Sequence, residues 1–413
     1  MTKYNNKFIN NINCYILGRA ISSFGTQIYN FILALYILKI TGTALTFAIT
    51  LVLSIIPRII LGPIAGILVD RLDRKKIIVI TDILCGIIML LLYLYMLNYN
   101  ININVFYFVT ILINSINVFF DIAMTAAITD MFSKEDLTKV SSMNQAITSI
   151  TEISGPFLGG FIFGILDLKL FVLINGISFL ISAFLEVNLD FKYRNVKKSI
   201  NNLNLHKEIL ESIRYIYSEK IIFILYFSAI FINIFFSMGV TIPFPYIITN
   251  VFKLPAYQFG ILQAMNPIGM LLGSVLLSML PEKRKKYKYI IIGFFIESLC
   301  ILLIGVPGLI TYLNQNILLC FIFYIVIIFI LGMAVSVVNI TVRVIMYKLI
   351  PNKIKGKIFG TLSTFCTIIN PISLILSGIV IAKINPFILS ISSGILFIIL
   401  TLVLSSNKHL KTL

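Results

Sequence analysis

The sequence predicts an all-α protein that crosses a membrane many times, and three observations carry that prediction. Apolar residues make up 59% of the 413-residue chain, and its mean hydropathy is +1.01. Charged residues make up 12%, about half the share of a typical soluble chain. Apolar runs of about 20 residues recur from end to end, each long enough as a helix to cross a hydrocarbon core of about 30 Å. These runs do not show the alternation over about 10 residues that marks barrel strands, so a β-barrel is excluded.

Taken in order, the runs predict twelve membrane helices over residues 15–40, 44–69, 77–97, 105–129, 140–166, 170–188, 221–249, 258–280, 287–306, 317–340, 358–382 and 385–405. The first lacks a signal-peptide cleavage pattern and is too long for the apolar core of one, so it reads as a retained helix. Between the second and third runs, Asp70, Arg71, Asp73, Arg74, Lys75 and Lys76 crowd together. Lipid tolerates no such density of charge, so this is an exposed turn. Of the 33 Lys and Arg residues, all but Lys39, Lys169, Lys253, Lys383 and Arg58 fall on one side of a twelve-span layout, with Arg19 counted on that side. The positive-inside rule makes that side the cytoplasm and puts both termini there. The same bias accounts for the net charge of +17 through topology and anionic lipid headgroups, without nucleic acid.

The chain divides into an N-terminal six-helix bundle (1–188), a cytoplasmic linker (189–220) and a C-terminal six-helix bundle (221–413). Within the linker, Leu205, Ile209, Ile213 and Ile216 share one helical face, with Lys207, Glu208, Glu211 and Arg214 elsewhere. That pattern predicts an amphipathic helix on the membrane surface. A weak repeat relates the halves. Pro156 of the fifth helix corresponds to Pro371 of the eleventh, and the basic run Lys283-Arg284-Lys285-Lys286 mirrors the turn after the second helix without its aspartates. Paired bundles of this kind enclose a central cavity in transporters that rock about a midplane site.

Several functions are excluded or unsupported. No phosphate-cradling Gly-x4-Gly-Lys-Ser/Thr loop is present, so direct use of ATP is not expected. Cys14, Cys85, Cys300, Cys320 and Cys366 form no close pair, so neither a disulfide frame nor a zinc site is implied. His206 and His409 lie in the linker and the tail, where solvated surface residues are the simpler reading. No enzyme signature, metal or cofactor is expected. Trp is absent, and Ile, Asn, Lys and Tyr are heavily used, a bias that points to an AT-rich bacterial genome.

The charged turn resembles the signature of the major facilitator superfamily between its second and third helices, Gly-x-Leu-x-Asp-Arg-x-Gly-Arg-Lys. Gly66, Leu68, Asp70, Arg71, Arg74 and Lys75 match, while Asp73 stands where Gly is usual. An Asp there is similar to the macrolide-efflux and enterobactin-exporter branch. Gly18, Ile21-Ser22, Gly25, Thr41-Gly42-Thr43-Ala44 and Lys134-Glu135-Asp136-Leu137 also resemble that branch. Gly155-Pro156-Phe157-Leu158-Gly159-Gly160 is similar to the Gly-Pro motif of drug exporters. The resemblance implies a twelve-helix fold whose first, fourth, seventh and tenth helices line the cavity. It also implies that the turn latches the two halves through Asp70 and Arg74 near the inner end of the eleventh helix, with Gly66, Arg71 and Asp130 as further members.

Charge inside the membrane is costly and marks function by default. Arg58, Asp121, Glu152 and Glu297 lie within spans, while Asp82 and Glu186 lie nearer the cytoplasmic ends, in reach of water. Asn114, Asn117, Asp121 and Thr125 recur at spacings of 3, 4 and 4 and share one helical face. Asp121 and Arg58 lie at similar depth, roughly 24 and 21 Å from the outer ends of their helices by rise per residue. Two readings stand for the pair: a permanent ion pair that fixes packing, or a carboxylate alternating between proton, Arg58 and substrate. Glu152 has no cation at its depth, so it is either a hydrogen-bonded packing group or a proton-coupling one. Glu297 lies in a helix that is peripheral in the family and reads as structural.

Further polar stripes comprise Ser23, Thr26, Gln27 and Asn30 in the first helix, and Asn233, Ser237 and Thr241 in the seventh. Ser336 and Asn339 form another in the tenth, with Arg343 near its inner end. Amides and hydroxyls among many of the 33 Phe and 19 Tyr suit a bulky amphipathic substrate. Gly155, Pro156, Gly159, Gly160 and Pro371 read either as plain helix packing or as bending points, as do Asn266-Pro267, Gly269 and Gly273. The expectation is a proton-coupled exporter of hydrophobic or amphipathic compounds of the macrolide or multidrug type. It is expected to be a monomer in a bacterial cell membrane, with small-molecule substrate, protons and lipid as partners. The alternatives are a siderophore or secondary-metabolite exporter, a lysophospholipid flippase, and a membrane sensor or immunity protein.

Overall fold

Four helices start at short polar side chains that cap them. A computed structural model describes residues 2–99, 102–133, 135–191, 214–279, 286–310, 316–351 and 354–412. Asp73 caps a helix by accepting from the backbone N–H groups of Lys75 (3.1 Å) and Lys76 (3.4 Å). The Asp that departs from the family pattern therefore has a local role. Asn102, Asn316 and Asn385 cap later helices in the same way. Gly42, at φ +67°, turns the chain between the first two helices in a region that only glycine occupies without strain.

The helices are α1 (Thr2–Thr41), α2 (Ala44–Arg71), α3 (Arg74–Asn98), α4 (Ile103–Met131), α5 (Leu137–Ile165) and α6 (Leu168–Val187). They continue as α7 (Lys220–Val251), α8 (Ala256–Met279), α9 (Lys286–Gly305), α10 (Ile317–Leu349), α11 (Lys355–Ile381) and α12 (Pro386–Ser406). No strand occurs among the described residues. Eleven helices are long and apolar enough to span a membrane among the described residues, and α11 adds the apolar run Thr367–Ile381. This is the all-α polytopic architecture expected from the sequence. The differences lie at the ends. α1 starts at Thr2 rather than near residue 15, and α10 continues to Leu349 rather than stopping near 340. Pro156 and Pro371 both sit inside uninterrupted helices.

α7 is irregular. It is π-helical over Ser237–Thr241 and again over Ile247–Val251, on either side of Pro243 and Pro245. Each proline lacks an N–H and its ring crowds the preceding turn, which favours the wider helix over Ser237–Thr241.

The chain groups into two compact units, Met1–Ile37 with Thr50–Ser199, and Leu38–Ile49 with Ile200–Leu413. In the first unit, Tyr29, Met89, Phe106, Ile113, Val172 and Phe179 belong to one apolar cluster, and Tyr15, Ile78, Phe120, Met124 and Leu189 belong to another. In the second, α8 and α10 approach so closely that a Cβ added at Gly273 would lie 2.5 Å from the Met333 carbonyl oxygen. Most of the expected amphipathic linker helix, and Lys283, Arg284 and Lys285, lie outside the described residues; residues 214–218 are helical.

Candidate functional site

Small residues bring three helices of the first unit together. Gly18, Ser22 and Gly25 form one stripe of α1, at spacings of 4 and 3. A Cβ at Gly18 would lie 3.0 Å from Glu186 Cγ, and one at Gly25 would lie 2.5 Å from Asn175 Oδ1. Between these, Ser182 Oγ bonds to the Gly18 carbonyl (2.9 Å), Ser22 Oγ to Ser182 Oγ (2.8 Å), and Asn175 Nδ2 to the Gly25 carbonyl (3.3 Å). Gly86 of α3 and Gly176 of α6 perform the same service for the next pair, since a Cβ at Gly86 would lie 3.1 Å from the Gly176 carbonyl oxygen. Close approach through small residues is how membrane helices gain packing energy where lipid offers no hydrophobic drive.

That packing buries acid. Asp82 and Glu186 are both 0% exposed, which corrects the expectation that they reach water at the cytoplasmic ends. Ser22 Oγ donates to Asp82 Oδ2, and Ser182 Oγ lies 3.3 Å from Glu186 Oε1. Next to them Arg19, 5% exposed at its side chain, pairs with Asp121 of α4 at 2.5 Å. Arg19, expected among the cytoplasmic cations, lies instead inside the bundle, over the Phe120 ring at 5.6 Å. Arg58, the expected partner of Asp121, approaches it only to 4.0 Å and is 64% exposed, whereas Asp121 is 32% exposed. Asp121 is thus shared between a buried cation and an exposed one. Glu152 is exposed and stands in the electrostatic field of Arg58, Asp121 and Arg19, so the expectation that no cation lies at its depth is corrected as well.

The α4 stripe does not present one open face. Asn114 and Asn117 are buried. Asn114 exchanges amide hydrogen bonds with Asn30 of α1 at 2.9 and 3.0 Å, and Asn117 donates to the Ile113 carbonyl (2.9 Å). These three amides are engaged inside the unit, and Thr125 turns back to the Asp121 carbonyl (2.9 Å). Gln27 is half-buried, and its Cβ would lie 2.8 Å from a Cβ at Gly155. Gly159 lies equally close to Phe31, and Gly160 is buried. In this geometry the glycines of the Gly-Pro motif let α5 pack tightly on α1.

At the charged turn, Arg74 bridges Asp70 (3.0 Å) and Asp130 (3.1 Å), and donates to the Ala126 carbonyl (2.9 Å). It ties α2, α3 and α4 together. Arg71 is exposed, and a Cβ at Gly66 would meet no atom within 4 Å. The side chains of Lys355 and Lys357, at the start of α11, lie outside the described residues.

The second unit holds a cavity of about 260 Å³. Asn233 of α7, Glu297 of α9 and Asn339 of α10 line it among apolar neighbours that include Phe236 and Phe294. Ser237 is buried next to Ser373 Oγ at 3.2 Å. Glu297, expected to be structural and apart from the two amides, lines the same cavity. Helix assignment alone cannot show that a residue of a peripheral helix reaches between its neighbours.

The chain is a polytopic bundle of membrane-length helices with an ion pair in its interior, the architecture of an integral membrane protein. The chain belongs to the Major Facilitator Superfamily, whose sequence model matches residues 15–374. This is a family of transporters, not enzymes. The chain is 23% identical over 417 residues to macrolide efflux protein A of Streptococcus pyogenes, covering 100% of this chain and 99% of that protein. It is 24% identical over 379 residues to the MFS-type transporter YkuC of Bacillus subtilis, covering 88% and 83%. Over 158 residues it is 32% identical to the putative bacilysin exporter BacE of Bacillus subtilis, covering 37% and 38%. Among solved structures, a bacterial homologue of the iron transporter ferroportin in the inward-facing state gives a TM-score of 0.70 at 14% identity, covering 97% of this chain and 99% of that one. The xylose transporter XylE from E. coli gives 0.63 at 15% identity, covering 97% and 96%. These likenesses show the fold.

Proposed function

We propose that this transporter exports a hydrophobic or amphipathic compound by alternating access, driven by proton entry, across the cell membrane of a bacterium with both termini in the cytoplasm. The observation that carries the coupling is Asp121, held at 2.5 Å by buried Arg19 and at 4.0 Å by exposed Arg58. A carboxylate placed between two cations of unequal exposure has two stable partners, and protonation breaks its hold on both. Glu152, in the field of both arginines, is the second coupling group.

The substrate assignment rests on the second-unit cavity. Mostly apolar walls with two amides and one carboxyl fit an apolar compound, or the apolar part of a larger one, that carries a few hydrogen-bonding groups. The full-length relative named for macrolide efflux agrees with that class, and the partial match to a putative bacilysin exporter extends it to secondary metabolites. The charged turn serves as a latch through Asp70, Arg71, Arg74 and Asp130, and the transporter works as a monomer.

The test is export from proteoliposomes under an imposed pH gradient, with a macrolide as the probe. Asp121→Asn and Glu152→Gln are each expected to abolish gradient-driven export while leaving elution and melting unchanged. Full export by both variants would remove the coupling assignment.

A further inference from the structure

Apart from the charged turn, where Arg74 pairs with Asp70 and Asp130 and Arg71 is exposed, helices α1–α6 carry the carboxyl groups of Asp82, Asp121, Glu152 and Glu186 and the guanidinium groups of Arg19 and Arg58. Asp121 occupies Arg19, and Arg58 faces Asp121 and Glu152. Among the described residues neither Asp82 nor Glu186 forms an ion pair.

They are also sealed. On α1, Arg19 and Ser22 fall between Tyr15 and Ile28. On α3, Asp82 falls between Ile78 and Cys85. On α6, Ser182 and Glu186 follow Phe179 and precede Leu189. All these flanking residues belong to the two apolar clusters. The charged groups that face the pair are Arg19 from α1, with Asp121 of α4 behind it, and the Cys85 thiol stands beside Asp82 on α3. Asp82 Oδ2 and Glu186 Oε1 are joined through the Ser22 and Ser182 hydroxyls, which lie 2.8 Å apart, with Ser182 Oγ 3.3 Å from Glu186 Oε1; among the described residues Asp82 Oδ1 and Glu186 Oε2 are buried without a hydrogen-bond partner. Two neighbouring anions at zero exposure repel without solvent to screen them. One hydrogen between them turns the repulsion into a charge-assisted bond and supplies the missing donor.

We propose that Asp82 and Glu186 form a proton-binding site that holds one shared proton, and that Arg19 couples its occupancy to Asp121. The coupling is electrostatic. A proton on Asp121 removes the anion that Arg19 serves, and the released guanidinium charge favours loss of the shared proton. When the pair is protonated, Arg19 stays with Asp121. The buried Arg19 Nε–H, which has no acceptor among the described residues, is the group that turns toward the pair. Neither carboxyl reaches solvent, so the shared proton exchanges only when α1, α3 and α6 part.

The test uses full-length protein in lipid nanodiscs, read by infrared difference spectroscopy of the protonated-carboxyl stretch during a pH titration. No substrate is involved, so the result stands apart from the export assay. The Asp82→Asn/Glu186→Gln double variant is expected to lose the amplitude of one protonated carboxyl relative to wild type. Asp121→Asn, which frees Arg19, is expected to move the titration of that band to lower pH. If the double variant fails to fold, Glu186→Gln alone carries the test, with a band shifted in frequency by loss of the shared bond. An unchanged band in these variants overturns the proposal. So does loss of the wild-type band on adding sodium chloride at fixed pH with potassium chloride as control, which assigns the oxygens to a sodium ion.

Discussion

Arg19 donates to Asp121 at 2.5 Å, lies over Phe120, and reaches the field of Asp82 and Glu186. Its removal leaves three acids near one another, with Arg58 at 4.0 Å as the remaining partner of Asp121. Breaking a buried pair by deleting one partner costs about 3–5 kcal/mol, and the lower end applies because Asp121 is partly exposed. Arg19→Met is therefore expected to destabilise the protein by about 3 kcal/mol. Arg19→Lys, which keeps the charge but loses the planar fork, is expected to cost about 1 kcal/mol. Unfolding in mixed micelles measures both. Adding Asp121→Asn to Arg19→Met should recover part of the loss, because the orphaned carboxylate is then gone. Equal losses for Met and Lys would show that Arg19 contributes volume and not charge.

At the scale of the element, the contrast between two glycines separates packing from signature. A Cβ at Gly86 would lie 2.7 Å from Leu180 Cδ2 and 3.1 Å from the Gly176 carbonyl, whereas one at Gly66 would meet nothing within 4 Å. Overpacking costs about 1–3 kcal/mol, so Gly86→Ala is expected to lower stability by that amount. Gly66→Ala should be neutral or stabilising by about 0.5–1 kcal/mol through helix propensity. Thermal melting of the two variants side by side checks this. If Gly66→Ala melts normally but loses export, the glycine belongs to the moving turn and not to the fold.

The same scale explains what the sequence made legible. Helix number, type and most boundaries follow from apolar length and from caps such as Asp73, because both are local in the chain. The pairing of charges is not local. Asp121 and Arg58 match by depth, but depth along a helix does not fix its rotation, and the shorter contact belongs to Arg19. A first helix beginning near residue 15 puts Arg19 at its cytoplasmic end, whereas α1 begins at Thr2 and carries Arg19 well inside. Asp82 and Glu186 stand near the ends of their helices, where long side chains normally snorkel. The contrary signal was present in small residues: Gly18, Ser22 and Gly25 on α1, Gly86 four residues beyond Asp82, and Ser182 four before Glu186. Such stripes mark faces that pack on protein, and a carboxyl in register with one is directed inward.

At the scale of the whole molecule, coupling and substrate binding are assigned to different units. The carboxyl–guanidinium network is built from α1 to α6, and the cavity lined by Asn233, Glu297 and Asn339 from α7, α9 and α10. Something must then carry the state of one unit to the other, and the charged turn is the proposed carrier. Arg74 fastens Asp70 and Asp130 at 3.0 and 3.1 Å, so α2, α3 and α4 share one clamp at that end of the first unit. Asp70 is the more exposed of the two acids, 56% against 12% at the side chain, and is therefore the group free to engage a second partner. An unpaired helix N-terminus, whose N–H groups attract an anion, is the kind of partner the proposed latch calls for. Spin labels on the cytoplasmic ends of the two units, read by pulsed distance measurement, test the latch. Asp70→Asn and Arg74→Gln are each expected to shift the distance distribution toward its longer component. Asp130→Asn should shift it less, because Arg74 keeps Asp70. Surface ion pairs contribute only about 0–1 kcal/mol, so the expected population change is up to about fivefold. An unchanged distribution in both Asp70→Asn and Arg74→Gln would reduce the turn to a topological anchor, with Arg74 serving only to bind α4 to α2 and α3.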